Sequence, residues 1–260
     1  MFLVRAGVPQ GSLLGSLLFV LYTSDFPTTN NTTTGTFADD TVILATHADP
    51  RTAAQYLQHH LDLTQDCLRK CRIKINETKS VQITFTLRKG RCPPVKINNV
   101  EIPVAAVTKC LGMHLDHKLN WRDHTVTKRK QIELKVKKLS RLLGRQSQLS
   151  IANRLLIYKT IIKPIWTYGI EVCGCASKSS QAILQKAQSK ILRMITNAPR
   201  YVSNLTLHED LKIPYVREVV FDKYAKHHQK LEMHPNPLLR LLLDIGQTRR
   251  LKRTRPMDLL

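Results

Sequence analysis

Thr36-Phe37-Ala38-Asp39-Asp40-Thr41-Val42-Ile43-Leu44-Ala45 sets the terms on which the rest of the chain is read. Two short apolar runs, Thr36 to Ala38 and Thr41 to Ala45, flank a pair of aspartates, and strands joined by two such residues close as a tight hairpin. Adjacent carboxylates held in such a turn can point at one place and bind Mg²⁺ through hard oxygen ligands. Taken alone, Ala-Asp-Asp is a weak signal, because aspartate is an ordinary turn residue. Its surroundings decide between the two readings.

Upstream, Gly7-Val8-Pro9-Gln10-Gly11-Ser12 reads as a loop, and Ser12 is an N-cap for an apolar helix running to about Tyr22, expected to be buried. Gly11, Ser12, Gly15 and Ser16 interrupt its apolar residues, so the run falls far short of the ~20 that span a bilayer. A secretion signal is the alternative, with only a weakly basic start and no clear cleavage site. Asn30 to Gly35 reads as a Thr-rich connector. Downstream of the aspartates, Ala54, Leu57, Leu61 and Leu68 recur at helical spacing over residues 51–70. Val81, Ile83, Phe85 and Leu87 alternate with polar residues as a half-buried strand. A hairpin is expected at Asn98-Asn99, then a strand over Val107 to Leu115. From Trp121 the pattern becomes helical, over 122–145, 155–168, 181–195 and 216–231. A boundary near residue 120 therefore divides an α/β unit, 1–120, from an all-helical unit, 121–260, within what 260 residues can bury.

The formal charge is +22, with a pI near 10.0, and such an excess points to a polyanionic partner. Its distribution is more telling. Residues 1–66 hold Arg5 and Arg51 against Asp25, Asp39, Asp40, Asp49, Asp62 and Asp66, a net −4, which leaves +26 for residues 67–260. An acidic front before a basic body suits a cation site beside a phosphate-binding surface. Nine basic side chains lie within 122–145, among them Lys128, Arg129, Lys130, Lys135, Lys137 and Lys138, beside the apolar stripe of Ile132, Val136, Leu139 and Leu143. A merely solvated face is the plainer reading of some of them. The six cysteines make no paired CxxC motif, so reduced thiols in an intracellular chain are expected rather than a zinc site. The basic tail Arg249 to Arg255 suits nuclear localisation or nucleic-acid contact equally.

Read together, the motifs resemble the reverse transcriptases of non-LTR retrotransposons, closest to jockey-like elements. Gly7-Val8-Pro9-Gln10-Gly11-Ser12-Leu13-Leu14-Gly15-Ser16-Leu17-Leu18-Phe19 resembles their second palm motif, and Phe37-Ala38-Asp39-Asp40 their metal-binding third motif. Arg72 to Ser80 looks like the fourth. Cys110-Leu111-Gly112-Met113-His114-Leu115-Asp116, with Trp121 and His124, looks like the primer-grip region and its sequel. Leu156 to Lys159, Pro164 to Gly169 and Leu207-His208-Glu209-Asp210-Leu211 continue the likeness through the helical part. The resemblance implies an α+β fold: a partial palm with an antiparallel sheet and helices, then an all-helical thumb and C-terminal extension. It also implies an RNA-directed DNA polymerase, a nucleotidyltransferase that copies RNA from a primed 3′ end with two Mg²⁺ ions. The implied partners are RNA template, DNA primer and deoxynucleoside triphosphates, in cytoplasm and nucleus, with no membrane. Asp39 and Asp40 would hold metal. Pro9, Gln10, Gly11 and Phe37 would line the pocket where nucleotide meets template. Lys79 would face the triphosphate as a point charge or proton donor, if it is not simply a solvated lysine. Lys128, Arg129, Lys130, Lys135, Lys137 and Lys138 would grip backbone phosphates.

The departures from the pattern bear on activity. In the family another metal-binding aspartate comes before the Gln10 loop, whereas only six residues precede Gly7 here and none is acidic. Ser16 stands where proline is usual, and Cys71 and Cys173 where tryptophan is common. Little or no polymerase activity is therefore expected of this chain by itself. A non-catalytic nucleic-acid-binding role is the alternative.

Overall fold

A computed structural model describes residues 11–88, 90, 92–236 and 239. The chain divides into two compact units, residues 1–84 with 88–106, and residues 85–87 with 107–260. The secondary structure is mixed α and β. Its strands form three separate two-stranded antiparallel sheets among the described residues, where a single larger sheet was expected.

In the first unit, α1 (Leu13–Tyr22) starts where expected, the Ser12 hydroxyl accepting from the Gly15 N–H at 3.1 Å. Its expected burial does not hold. None of its residues is buried, and Leu13 is 94% exposed, because no apolar face among the described residues covers it. The Thr-rich connector is in fact strand β1 (Thr32–Phe37), paired with β2 (Asp40–Ala45) in a register that sets Thr34 against Ile43 and Phe37 against Asp40. Helix α2 (Pro50–Lys70) is fixed at its start by Asp49, which caps the Thr52 N–H, and by Pro50 in the first turn. Its buried His60 draws β1 onto it, with Nδ1 2.8 Å from the Thr32 hydroxyl and Nε2 3.1 Å from that of Thr34. Threonine at alternate strand positions puts both hydroxyls on one face. Strands β3 (Lys96–Ile97) and β4 (Val100–Glu101) turn at Asn98-Asn99, both left-handed at φ 49° and 62°. Asparagine tolerates that conformation, so this hairpin was legible. Leu61, Val95, Ile97 and Ile102 form the small core of this unit.

The strand expected from Val81 to Leu87 is an extended segment with a single bridge, Gln82 to Val104. Its alternation is also inverted, since Val81 and Leu87 are exposed and Gln82 is buried. The Gln82 amide replaces a strand partner, accepting from the Val95 N–H at 2.9 Å and donating to the Pro93 carbonyl at 3.0 Å.

The second unit opens with a hairpin where one strand was expected. Strands β5 (Val107–Cys110) and β6 (Met113–Asp116) turn at Leu111-Gly112, with φ 45° and 77°. Helix α3 (Arg122–Lys138) and the short α4 (Ser140–Leu143) follow. A long helical stretch then runs from α5 (Ile151–Ile157) through a π turn, Tyr158–Ile162, into α6 (Lys163–Thr167). Pro164, which has no N–H to donate, sits just after the π turn. The remaining helices are α7 (Ile170–Cys173), α8 (Lys178–Thr196), α9 (Asn204–Asp210) and α10 (Val216–Glu232). Tyr158, Ile162, Trp166, Ile170, Leu192, Ile195 and Val216 pack into one core. Gln188 enters it, donating at 3.0 Å to both the Tyr158 hydroxyl and the Pro214 carbonyl.

Candidate nucleotidyl-transfer and nucleic-acid-binding residues

The acidic turn is one residue out of phase with the sequence expectation. Phe37 pairs with Asp40, so the two loop residues are Ala38 and Asp39, and Asp40 begins β2. Ala38 takes φ 48°, a left-handed conformation that costs an alanine roughly 1 kcal/mol and that a tight two-residue turn demands. Asp39 and Asp40 are both exposed, and neither carboxylate has an ion pair or hydrogen bond among the described residues. Phe37, 67% exposed, lies opposite Asp40 on the strand face turned away from His60.

These carboxylates fit two of the oxygen ligands that Mg²⁺ takes, being hard donors, adjacent and uncommitted. They are two, and no group of three or more His, Cys, Asp or Glu side chains arranged for a metal occurs among the described residues. Lys79 ends an Asn76 turn, its N–H donating to Asn76 Oδ1 at 3.2 Å, and its side chain is exposed. No hydrogen bond or ion pair joins it to the acidic turn among the described residues. Gly11 has φ 82°, which suits glycine, while Pro9 and Gln10 lie outside the described residues.

In the second unit the basic side chains of α3 separate into three kinds. Lys130, Lys135, Lys137 and Lys138 are exposed. Arg129 is also exposed, but pairs with Glu133 at 2.9 Å. Lys128 departs from the group: it is 8% exposed, with Nζ 5.1 Å from the centre of the Tyr168 ring. Burial lowers its pKa, Lys109 adds to that, and Cys173 opposes it. Tyr168 was quoted within a family-like stretch but given no role. Its hydroxyl donates to the Leu111 carbonyl at 2.7 Å, and its ring lies where a Cβ on Gly112 would sit 3.2 Å away. It thus fixes the β5–β6 turn to α3. The sequence signal was the two glycines, Gly112 and Gly169, each left-handed and each closely approached.

His124, next to this turn, is buried, with Nδ1 accepting from the His114 N–H at 3.2 Å and Nε2 without a hydrogen-bond partner among the described residues. Burial, then the Lys128 and His114 charges, lowers its pKa to about 4. The unfolded chain holds its proton more tightly, so stability is intact above about pH 6.5 and is lost as pH falls toward 4. We expect urea unfolding to report about 2 kcal/mol less stability at about pH 5 than at about pH 7.5, and His124→Gln to flatten that part of the profile.

Among the described residues, one unit thus presents paired carboxylates on a hairpin, and the other a hairpin tied to a lysine-rich helix. Residues 2–138, just over half of the chain, match the family described as Reverse transcriptase (RNA-dependent DNA polymerase). The chain belongs to that family, within the group from non-LTR retrotransposons. It is 37% identical over 262 residues to a probable RNA-directed DNA polymerase from transposon X-element of Drosophila melanogaster, an alignment covering 99% of this chain and 29% of that protein. It is 34% identical over 274 residues to the RNA-directed DNA polymerase from mobile element jockey of Drosophila funebris, covering 99% and 30%. With the probable polymerase from transposon BS of Drosophila melanogaster the identity is 32% over 260 residues, covering 96% and 29%. The chain therefore spans about 30% of the length of the curated relatives it matches. No solved structure matches it. No helix among the described residues is long and apolar enough to cross a membrane.

Proposed function

We propose that these residues belong to an RNA-directed DNA polymerase that extends a DNA primer on a retroelement's RNA, residues 1–120 serving as part of its palm and 121–260 as thumb and C-terminal extension. The observation that carries this reading is the turn at Ala38-Asp39, which leaves two adjacent carboxylates exposed and, among the described residues, uncommitted. Asp39 and Asp40 would hold Mg²⁺. A divalent ion held there would supply the Lewis acidity that primer 3′-hydroxyl attack and pyrophosphate departure need. Phe37, across the strand from Asp40, would help line the pocket where nucleotide meets template. Gly11, with Pro9 and Gln10, would border the nucleotide, glycine letting the backbone approach closely. Lys79, exposed at its turn, would draw the triphosphate as a point charge. Lys130, Lys135, Lys137 and Lys138, with Arg129, would neutralise backbone phosphates without reading sequence. Lys128 would support the β5–β6 turn through Tyr168 rather than touch nucleic acid.

A second reading, nucleic-acid binding without catalysis, is favoured by the count of carboxylates, since the described residues bring two and no third to a metal. Primer extension on an RNA template with Mg²⁺ separates the readings, comparing the 260-residue chain with Asp39→Asn. We expect little or no extension from the chain alone while primer–template binding persists. Extension that vanishes in Asp39→Asn means that the site completes itself within these residues. Extension that survives the substitution overturns the role given to Asp39.

A further inference from the structure

The short loop between α8 and α9 presents an aromatic side chain that no interaction described so far uses. Tyr201 is 88% exposed, more than any other large apolar side chain among the described residues except Leu13. Leu13 lies on an apolar helix, whereas Tyr201 lies in a loop beside the exposed Arg200. These two are the central residues of a turn closed by the Val202 N–H donating to the Pro199 carbonyl at 3.3 Å.

That turn is built to hold its shape. Arg193, near the end of α8, donates from Nη1 to the Pro199 carbonyl at 2.6 Å. It donates from Nη2 to the Val202 carbonyl at 2.9 Å and to Asn204 Oδ1 at 3.0 Å. Both ends of the turn and the start of α9 are therefore tied to one guanidinium, whose planar fork suits such multiple bonding. Asn197 ends α8 at φ 56°, and Ser203 caps α9 by accepting from the Thr206 N–H at 3.0 Å. Every feature on either side of Arg200 and Tyr201 restrains the backbone, while the two side chains project into water. A tyrosine held this way loses little conformational entropy when a flat ligand stacks on it, and the adjacent guanidinium supplies charge for an anionic one.

We propose that Arg200 and Tyr201 form a second nucleic-acid contact, a stacking platform for an unpaired base whose phosphate is met by Arg200. An unpaired strand fits better than duplex, because stacking on one isolated ring needs a base face that duplex keeps covered. It fits better than an acidic peptide, which would leave the ring unused. The net +26 of residues 67–260 favours either polyanion over a neutral partner. The site goes beyond the phosphate grip assigned to α3, although it rests on the same reading of the chain as a nucleic-acid binder.

The test uses the full chain and a short fluorescein-labelled oligouridylate, followed by anisotropy, with an RNA–DNA duplex in parallel. Tyr201→Ala is expected to weaken oligouridylate binding about 5- to 100-fold, the range that loss of one base–aromatic stack gives, while leaving the salt dependence and duplex binding unchanged. Arg200→Gln is expected to reduce the salt slope by about 0.7. Tyr201→Trp is expected to keep the affinity, and bound oligouridylate to quench the fluorescence of the added indole. Equal oligouridylate affinity in wild type and Tyr201→Ala, an unquenched indole, or an equal loss on duplex would each overturn the platform. Duplex binding without any oligouridylate binding overturns it while sparing α3, and loss of duplex binding alone fells the α3 reading and spares Tyr201.

Discussion

With Lys130, Lys135, Lys137 and Lys138 all changed to glutamine, the chain is expected to bind an RNA–DNA duplex about 10²- to 10³-fold more weakly at about 0.1 M salt. The argument is one of released counterions. Each lysine that neutralises a phosphate on a double helix contributes close to 0.9 to the slope of log affinity against log salt, so four contribute about 3.6. The four are exposed on one helix and have no ion pair among the described residues, unlike Arg129, which Glu133 already engages at 2.9 Å. Lys128, buried over Tyr168, is left out because its replacement would disturb the β5–β6 turn. The measurement is a salt titration of affinity for wild type and the quadruple variant. A slope that falls by about 3 to 4 is the expected result. A slope unchanged within error would mean that α3 is only a solvated face and that the basic charge acts elsewhere.

Replacing Asp116 with alanine is expected to destabilise the second unit by about 3–5 kcal/mol. Asp116 is 3% exposed and accepts three backbone N–H groups: Lys118 at 3.2 Å and Asn120 at 3.1 Å on Oδ2, and Trp121 at 2.9 Å on Oδ1. Hydrogen bonds to a charged acceptor contribute about 1.5–3 kcal/mol each, and the one from the Trp121 N–H is buried, so its loss leaves a buried donor without this acceptor. The turn is itself costly, with Leu119 at φ 49° and Trp121 at φ 62°, both left-handed for side chains that rarely accept it. The carboxylate therefore holds a strained connection that delivers Trp121 to the core and starts α3. Urea unfolding followed by tryptophan fluorescence reads the effect, because the buried Trp121 is one of two tryptophans in the chain. Asp116→Asn, which keeps one acceptor oxygen, is expected to recover part of the loss. An Asp116→Ala variant as stable as wild type would show that the loop keeps its shape without the carboxylate.

Local chemistry made parts of this structure legible and tertiary packing hid the rest. Ser12 and the Asn98-Asn99 pair announced a helix start and a hairpin, because each acts within about four residues of itself. Phe37 to Asp40 announced a hairpin for the same reason, though a pattern of strand and turn residues did not fix which two lie in the loop. The segment Val81 to Leu87 misled because alternation presupposes a partner strand, and here the Gln82 side chain supplies the hydrogen bonds instead. The run Val107 to Leu115 read as one strand because Leu111, a residue seldom found at positive φ, occupies the turn. Lys128 looked like its neighbours because nothing in a helical pattern tells a lysine over a distant tyrosine ring from one in water. Tyr201 escaped notice since an exposed aromatic in a loop leaves no periodic trace. Family membership was legible through the order of the motifs, whereas burial and side-chain partners were not.

Whether the Asp39-Asp40 turn takes a divalent cation decides most about this chain, and backbone cleavage by bound Fe²⁺ asks it directly. With ascorbate and peroxide, iron held at the turn generates hydroxyl radicals that cut the nearby chain. The expected result is a cut close to residues 38–41 that Mg²⁺ suppresses and that disappears in Asp39→Asn/Asp40→Asn. No cut there, or one that persists in the double variant, would contradict the assignment of these carboxylates to a metal.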